Sequence, residues 1–455
     1  MPETTASGAG PGAGPVTTAA PDRYDFDAVV VGAGPAGSAA ALELARAGRS
    51  VALVERGPFP GSKNVYGGVV YGRVLDELLP GWYERMPVQR WITRRQTMLL
   101  DGERSMTVDF RTQSWGREPY NGATTFRAEF DAWLAEQAQQ AGAVLVPSTV
   151  ANALLRSPDG QVHGIRTDRP DGDLTARVVI AADGVNSFLG KQAGCVTGDQ
   201  AAHTTLGVKE TLALPRKTIE ERFGVTGSDG VDIEMLGATG QVPGGGFLYT
   251  NAESVSIGLV LGLRGLSAAG RRPEDILADL KRHPSIAPLV RGGELLEYSA
   301  HLIPEGGYKT MPRLTADGLL LAGDSAAMCL AAGIWLEGVN FALGSGMYAG
   351  RSAAAALAEG DTSASGLAGY RTALERSFVL GDHKRLREAP GLVLSDRVQQ
   401  RYPGMVCDLV EGMFTVDNPR PKPGGRALLR RAMKRNGVRL RDLAKDALTA
   451  LRTFG

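Results

Sequence analysis

Large apolar side chains are almost absent from the first two dozen residues and then arrive together as "DAVVV" at 27–31. A short β-branched run stopped by glycine predicts a buried strand. "GAGPAG" at 32–37 ends it, "SAAALELARAG" continues with helical spacing to Gly48, and "SVALVER" at 50–56 predicts a second buried strand. The periodicity then breaks. Residues 56–72, "RGPFPGSKNVYGGVVYG", are rich in glycine and tyrosine and predict an irregular loop that lies against something flat or lets backbone approach a ligand. A hairpin is predicted over 93–110 around Asp101-Gly102. An amphipathic helix is predicted over 124–142, with Phe126, Phe130, Trp133 and Leu134 along one side. "AVLVPST" (143–149) and "ARVVIAADG" (176–184) read as strands that rejoin the first two.

From about 205 to 308 the runs "TLGVKETLAL", "GVDIEML", "GGFLYT" and "SVSIGLVLGL" follow one another with short turns, which predicts an antiparallel sheet inserted into the first unit. "GLLLAGDSAAM" at 318–328 returns to strand and turn, a helical stretch runs to about 360, and the chain after 365 reads helical. The expected fold is therefore α/β: a Rossmann-like, doubly wound nucleotide-binding domain over 25–77, 111–204 and 309–364, with an antiparallel α+β domain from 78–110 and 205–308. A helical region with a basic tail covers 365–455. Residues 1–24 are Ala/Gly/Pro/Thr-rich, a composition too poor in apolar side chains to repay ordering, and predict a disordered tail. They have neither the basic start nor the apolar segment of a secretory signal.

Composition narrows the function classes. With 455 residues, 22% charged side chains and a net charge of +1, the chain gives no electrostatic reason to bind nucleic acid. No apolar run is long enough to cross a bilayer, so the expectation is a cytoplasmic protein whose membrane contact, if any, is peripheral, on the inner face of the membrane. Cys195, Cys329 and Cys407 are far apart and form no CxxC pair. They cannot ligate an iron–sulfur cluster or a structural zinc in the usual way, and read as small buried hydrophobes. His163, His203, His283, His301 and His383 show no metal-ligand spacing, and no G-x-S-x-G elbow marks a hydrolase.

The chemistry lies in the turns. Within a strand–turn–helix–strand unit, Gly32 permits the tight turn, Gly34 lets a pyrophosphate approach backbone, and Gly37 allows close helix–strand packing, with Pro35 and Ala36 between them. The helix start offers free N–H groups to the phosphates. Glu55, ahead of Arg56 at the end of the second strand, is placed to accept hydrogen bonds from a ribose. Gly323 and Asp324 in "LAGDSA" end another strand and would aim a carboxylate at a ribityl hydroxyl. Asp183 in "AADGVNS" reads either as support for the cofactor or as an ordinary turn with a helix cap. Arg127 reads either as a phosphate or ribose contact or as a solvated partner of Glu129 or Asp131.

These three turns, in this order, resemble the flavin-dependent superfamily typified by aromatic hydroxylases and geranylgeranyl reductases. The blocks "GSKNVYGGVVYG", "PYNGATTFRAEFDAWLAEQA", "RPDGDLTARVVIAADGVNS", "GGGFLYTNAESVSIGLVLGL", "HPSIAPLVRGG" and "LERSFVLGDHKRLREAPG" are similar to FixC-type flavoproteins, relatives of the electron-transfer flavoprotein:quinone oxidoreductases. The resemblance extends from residue 25 to the C-terminus. It implies non-covalent FAD that receives electrons from an electron-transfer flavoprotein and passes them to a quinone. The quinone oxidoreductases carry a cluster domain with cysteine ligands; this chain lacks those cysteines, as FixC does, and FixC works with a separate small ferredoxin-like protein.

On that resemblance, Gly333 to Asn340, "GIWLEGVN", starts a helix near the pyrimidine end of the isoalloxazine, with Gly333, Val339 and Asn340 as cofactor contacts. Trp335 and Glu337 are the residues expected to tune the flavin or touch substrate. Tyr66 and Tyr71 are expected to line the electron acceptor's approach, with the glycines of "YGGVVYG" against the ring. Two rival readings stand beside this one: an FAD-dependent dehydrogenase, reductase or monooxygenase acting on a small organic or isoprenoid substrate, and a non-catalytic flavoprotein subunit. The chain shows one dinucleotide fingerprint and no second one for a nicotinamide nucleotide. From Arg420 on there are eleven Lys/Arg and two Asp, with Leu428, Leu429, Ala432 and Met433 on one helical face. That segment suits an anionic membrane or an acidic partner, or else a terminal helix that packs down. Trp82, Tyr83 and Trp91 in 78–92 form a second candidate interfacial patch, or core.

Overall fold

The computed structural model describes residues 14–63, 67–333 and 336–455. Five parallel strands form the centre of the first sheet: Val144–Val146, Val51–Val54, Phe26–Val31, Asp173–Ala181 and Leu319–Leu321 lie side by side in that order. Their "VVV", "VALV", "VVIA" and "LLL" runs are fully buried, as strands covered on both faces must be. Helix Pro35–Arg46 connects Phe26–Val31 to Val51–Val54, and helix Val339–Glu359 crosses it so closely that a Cβ on Gly346 would collide with the Ala36 carbonyl. The sheet is mixed at one side, because Ala151–Arg156 and Val162–Thr167 add antiparallel to the start of Asp173–Ala181. The region expected to be a disordered tail contributes here. Val16–Thr17 pairs in parallel with Leu155 and Arg156, and the Thr18 hydroxyl meets His163 Nε2 at 3.1 Å.

The second sheet runs Glu294–Pro304, Thr204–Ala213, Ser254–Gly262, Gly244–Thr250, Asp229–Leu236, Arg90–Asp101, Gly122–Phe126 and Gly67–Tyr71, with Arg104–Arg111 closing the expected hairpin on Arg90–Asp101. It is antiparallel except where Asp229–Leu236 lies parallel to Arg90–Asp101. Two expectations change here. Residues 67–71 are not loop but an edge strand, paired from Gly67 opposite Phe126 to Tyr71 opposite Gly122. The helix expected from 124 begins at Arg127, because Thr124, Thr125 and Phe126 are β-formers that finish the neighbouring strand. Both strands come from segments the sequence places with the nucleotide-binding domain.

Alternation sorts the two faces of this sheet. Met98, Leu100, Val208, Val231, Ile233, Met235, Leu248, Val255, Ile257 and Leu259 turn one way, into a core closed by helices Arg216–Phe223 and Pro273–Arg282. Arg95, Lys209, Asp232, Glu234, Phe247, Tyr249 and His301 occupy the alternate positions and form the opposite face. This second face bears the unusual chemistry.

The aromatic patch at 78–92 is core. Trp82 is fully buried, donates its indole N–H to Asp76 at 2.8 Å, and packs edge-on to Trp91, which stacks on Tyr120 at 3.8 Å. The basic tail also packs down: helix Gly425–Arg435 buries Leu428, Ala432 and Met433, the last two in a small core with Met405 of helix Tyr402–Phe414 and Val438. The apolar side chains left exposed in this region are others, among them Phe414, Leu440, Leu448 and Leu451. Among the described residues no helix is long and apolar enough to cross a membrane.

Candidate cofactor and electron-transfer site

Gly32 sits at φ +99°, where a Cβ would strike the Ala182 carbonyl of the adjoining strand-end turn. Only glycine turns the chain tightly enough there to start a helix at Pro35. At Gly34, by contrast, a Cβ would have a single neighbour, Arg127 Nη2 at 3.8 Å. The backbone is thus open where the fingerprint needs a phosphate to approach, and no side chain caps the helix start. Pro35, Ala36 and Gly37 form the first buried turn of that helix.

Glu55 is buried, and its carboxylate is already engaged: Oε2 accepts from the Ala33 N–H at 3.0 Å and Oε1 from the Gly57 N–H at 2.7 Å. It braces the glycine loop against the strand beside it, and each oxygen keeps a second lone pair for a ribose hydroxyl. Arg56 is exposed. Of its two readings, the structure shows Arg127 as the partner of an acid. It makes a two-pronged ion pair with the fully buried Asp131 at 2.7 and 2.8 Å, and its guanidinium lies beside Gly34.

Gly323 and Asp324 are fixed from behind. The Gly323 N–H donates to Ser345 Oγ at 2.9 Å, and Tyr370 donates to the Leu321 carbonyl at 2.9 Å. Asp183 spends its oxygens on protein, accepting from Ser325 Oγ at 2.9 Å and the Leu189 N–H at 3.0 Å, while Ser325 Oγ also receives the Gly184 N–H at 3.1 Å. Asp183 therefore ties the 183–187 turn to the 323–326 turn, which is the turn-and-cap reading with a structural purpose. Burial pushes the Asp324 carboxyl up, opposed by the nearby His301 and Arg127. Burial lowers His301, with Asp324 opposing and Arg127 and Arg56 adding to the fall. No motif surrounds His301; its strand position, opposite Gly207 and four residues past Glu297, is what carries it to Asp324. A cavity of about 70 Å³ opens against Asp324 between Ser187, Thr204, Pro304 and Thr310.

Gly333, at φ +79°, lies between Leu330–Ala331 and Leu336–Glu337, which pair with each other, and Val339 starts the long helix. Asn340 Nδ2 donates to Glu337 Oε2 at 2.6 Å, whereas the buried Asn340 Oδ1 has no partner. An orphaned acceptor at a helix start fits a ring N–H donor of the kind an isoalloxazine presents. Glu337 is raised by burial. Tyr71 is half-buried, with Arg95 5.9 Å above its ring, and its hydroxyl is raised well above the usual range by burial and then by Asp232. Tyr66 and Trp335 lie outside the described residues. All three cysteines are buried and free, and no group of metal ligands occurs among the described residues.

Comparison with known proteins agrees with this frame. Residues 27–211 match the family model described as FAD dependent oxidoreductase, and residues 390–455 match the ETF-QO/FixC family C-terminal domain. The chain is 41% identical to the probable electron transfer flavoprotein-quinone oxidoreductase YdiS of Escherichia coli K12, over 93% of this chain and 97% of that one. It is 40% identical to protein FixC of Salmonella typhi over the same shares. Among solved structures, a geranylgeranyl bacteriochlorophyll reductase-like protein from Thermoplasma acidophilum superposes with a TM-score of 0.70 at 21% identity, covering 90% of this chain and 96% of that one. The chondrochloren halogenase CndH, a myxobacterial FAD-dependent enzyme, gives 0.62 at 16% identity, covering 94% and 89%. The open backbone at Gly34, the uncapped helix start and the orphaned Asn340 acceptor fit FAD, and the chain belongs to the ETF-QO/FixC family of FAD-dependent oxidoreductases.

Proposed function

We propose that the protein accepts electrons from an electron-transfer flavoprotein and passes them through its FAD to a quinone. The observation that carries this reading is the 41% identity sustained over 93% of the chain with a relative named for that reaction. Similarity of that length takes in both the cofactor turns and the second sheet facing them. Gly32, Gly34, Pro35, Ala36 and Gly37 would hold the pyrophosphate with Arg127, and Glu55 and Arg56 the adenosine end. Gly323 and Asp324 would hold the ribityl chain, with Asp183 bracing their turn. Gly333, Val339 and Asn340 would meet the ring's pyrimidine end, where the helix dipole favours the anionic reduced form. Bound FAD supplies the redox chemistry, and the protein sets its potential and access.

Tyr71 and Glu337 border the acceptor's approach in this reading, with Tyr66 and Trp335 beside them in sequence. The cysteines are scattered and buried, so a cluster in the electron path would belong to a separate ferredoxin-like protein. The basic C-terminal helices, with Leu440, Leu448 and Leu451 exposed among them, are the surface we assign to that acidic partner or to peripheral membrane contact.

The test is acceptor choice. Anaerobically photoreduced holoprotein, mixed in turn with a quinone, with oxygen and with a small alkene substrate, should be reoxidised fastest by the quinone, and the oxidised protein should be reduced slowly by NAD(P)H. Fast reduction by NAD(P)H with fast oxygen consumption would replace this reading with a monooxygenase. Failure of every acceptor would leave a flavoprotein subunit without catalysis.

A further inference from the structure

The second sheet places two acids and one base in a single buried cluster. Asp232 and Arg95 are register partners on adjacent parallel strands, and Glu234 follows two residues later on the same face. Arg95 Nε lies 3.3 Å from Asp232 Oδ2, and Arg95 Nη2 lies 2.5 Å from Glu234 Oε1. Asp232 is 2% exposed and its other oxygen, Oδ1, has no hydrogen-bond partner. A buried carboxylate oxygen without a donor strongly disfavours the charged form. Arg95 can balance one of the two carboxylates; a proton is what balances the other. Burial raises both acids, Asp232 to about 6 and Glu234 to about 8, and for Glu234 the Asp232 charge adds to the rise. The two carboxyls are coupled to each other through Arg95, so their protonation is a property of the pair.

What surrounds the pair points outward from the sheet. Tyr71 on the edge strand feels Asp232, Arg95, Glu234 and Glu337. Glu337, on the segment that leads into the long helix, feels Arg95 and also Asp382 from helix Phe378–Arg385, and it is held by Asn340. Tyr249 stands opposite Asp232 in the neighbouring strand. The pair therefore sits on the face of the second sheet that feels Glu337, on the segment that also carries the orphaned Asn340 acceptor.

We infer that Asp232 and Glu234, held by Arg95, share one proton and give it to the quinone reduced in the space bordered by Tyr71 and Glu337. This rests on the quinone reading above. A quinone becomes a quinol by taking up two electrons and two protons. Bound reduced FAD would supply both electrons and one proton; the second proton would come from the carboxyl pair, which solvent would reprotonate. Arg95 is the positioning residue, and the pair is the donor.

The experiment compares wild-type holoprotein with Glu234→Gln and Asp232→Asn. Reduced flavin is mixed with a water-soluble quinone or with ferricyanide, which takes electrons without protons, across pH 6 to 9. The ratio of the quinone rate to the ferricyanide rate is expected to fall about 10²-fold in either variant, the scale of a lost general acid. In wild type that ratio should fall as pH rises through the pair's titration, and in the variants it should be flat. Infrared spectra supply a readout that needs no quinone: a protonated-carboxyl band at neutral pH, shifted in heavy water, of which one component is present in wild type and lost from either variant. Should Glu234→Gln fail to fold, Asp232→Asn decides, since removing either member ends the sharing. A ratio unchanged at every pH, or an infrared spectrum the same in wild type and variant, overturns the proton store. Wild-type flavin reoxidised by ferricyanide but by no quinone would instead overturn the quinone reading, while the infrared result still decides whether the pair holds a proton.

Discussion

Two backbone hydrogen bonds decide what Glu55 does. The strand-end acid of a dinucleotide fingerprint is legible in sequence, and so is its neighbourhood to a ribose. Its second task, holding Ala33 and Gly57 together, depends on a turn geometry that no spacing rule shows. Glu55→Ala should therefore lose the brace as well as any ribose contact. Each charge-assisted bond is worth roughly 1.5–3 kcal/mol, so FAD affinity should drop at least about tenfold, measured as the flavin-to-protein ratio after gel filtration. Full flavin occupancy would show that neither role matters to binding. Gly32→Ala is a harsher test, because the residue is at φ +99° and its new methyl would meet the Ala182 carbonyl. It should cost about 1–3 kcal/mol in thermal unfolding and leave the protein largely without flavin. Arg127 and His301 mark the limits of sequence reading at this scale. Arg127 reads from sequence as a partner of an acid or of the cofactor; the structure pairs it with Asp131 and leaves its guanidinium beside Gly34. His301 had no motif around it, and only strand register carries it to Asp324.

Among elements, segments with a strong pattern were readable, the short buried strands Val51–Val54 and Leu319–Leu321 included. Helix Pro35–Arg46, the hairpin at Asp101-Gly102 and the four strands between 204 and 262 follow from their patterns. The strand Gly67–Tyr71 does not, since two glycines and two tyrosines around "VV" look like loop until Gly122–Phe126 pairs with them. The same tertiary pairing takes Thr124 to Phe126 out of the expected helix. Helix Leu440–Phe454 lies in the basic segment that reads either as a partner or membrane surface or as a terminal helix that packs down, and one buried acid fastens it. Asp446 receives both arms of Arg397 at 2.6 Å and the Tyr402 hydroxyl at 2.6 Å. Asp446→Ala should leave Arg397 without its partner and lower stability by about 1–3 kcal/mol, read by thermal melting. Hydrogen bonding by Arg397 holds the Asp446 carboxyl below its usual range, so its contribution is present above the ordinary carboxylate pKa and lost as pH falls through the lower folded value. Flavin content should not change, because the 183 and 323 turns are tied by Asp183 and Ser345 instead.

For the whole molecule, the arrangement that matters is one sheet that builds the cofactor turns and a second whose polar face looks onto them. The sequence separates the two by their patterns, but it cannot show that Arg95, Asp232, Glu234 and Glu337, far apart along the chain, converge. That convergence has a signature in stability. Glu234 and Glu305 are raised by burial to about 8 and about 7. A folded state that binds protons more tightly than the unfolded chain loses stability as pH rises toward the folded pKa. Between pH 6.5 and 8 the holoprotein should therefore lose about 1–2 kcal/mol, seen as a falling melting temperature. The slope should shrink in Glu234→Gln combined with Glu305→Gln, and a melting temperature flat over that window would show both acids ionised in the folded protein.

One stopped-flow experiment follows the direction of electron flow from end to end. Reduced electron-transfer flavoprotein is mixed anaerobically with the oxidised holoprotein and excess quinone while the flavin absorbance is recorded. The account predicts rapid bleaching of this protein's FAD by the partner, followed by recovery whose rate rises with quinone concentration. An FAD that the reduced partner leaves oxidised, or that stays bleached at every quinone concentration, contradicts it.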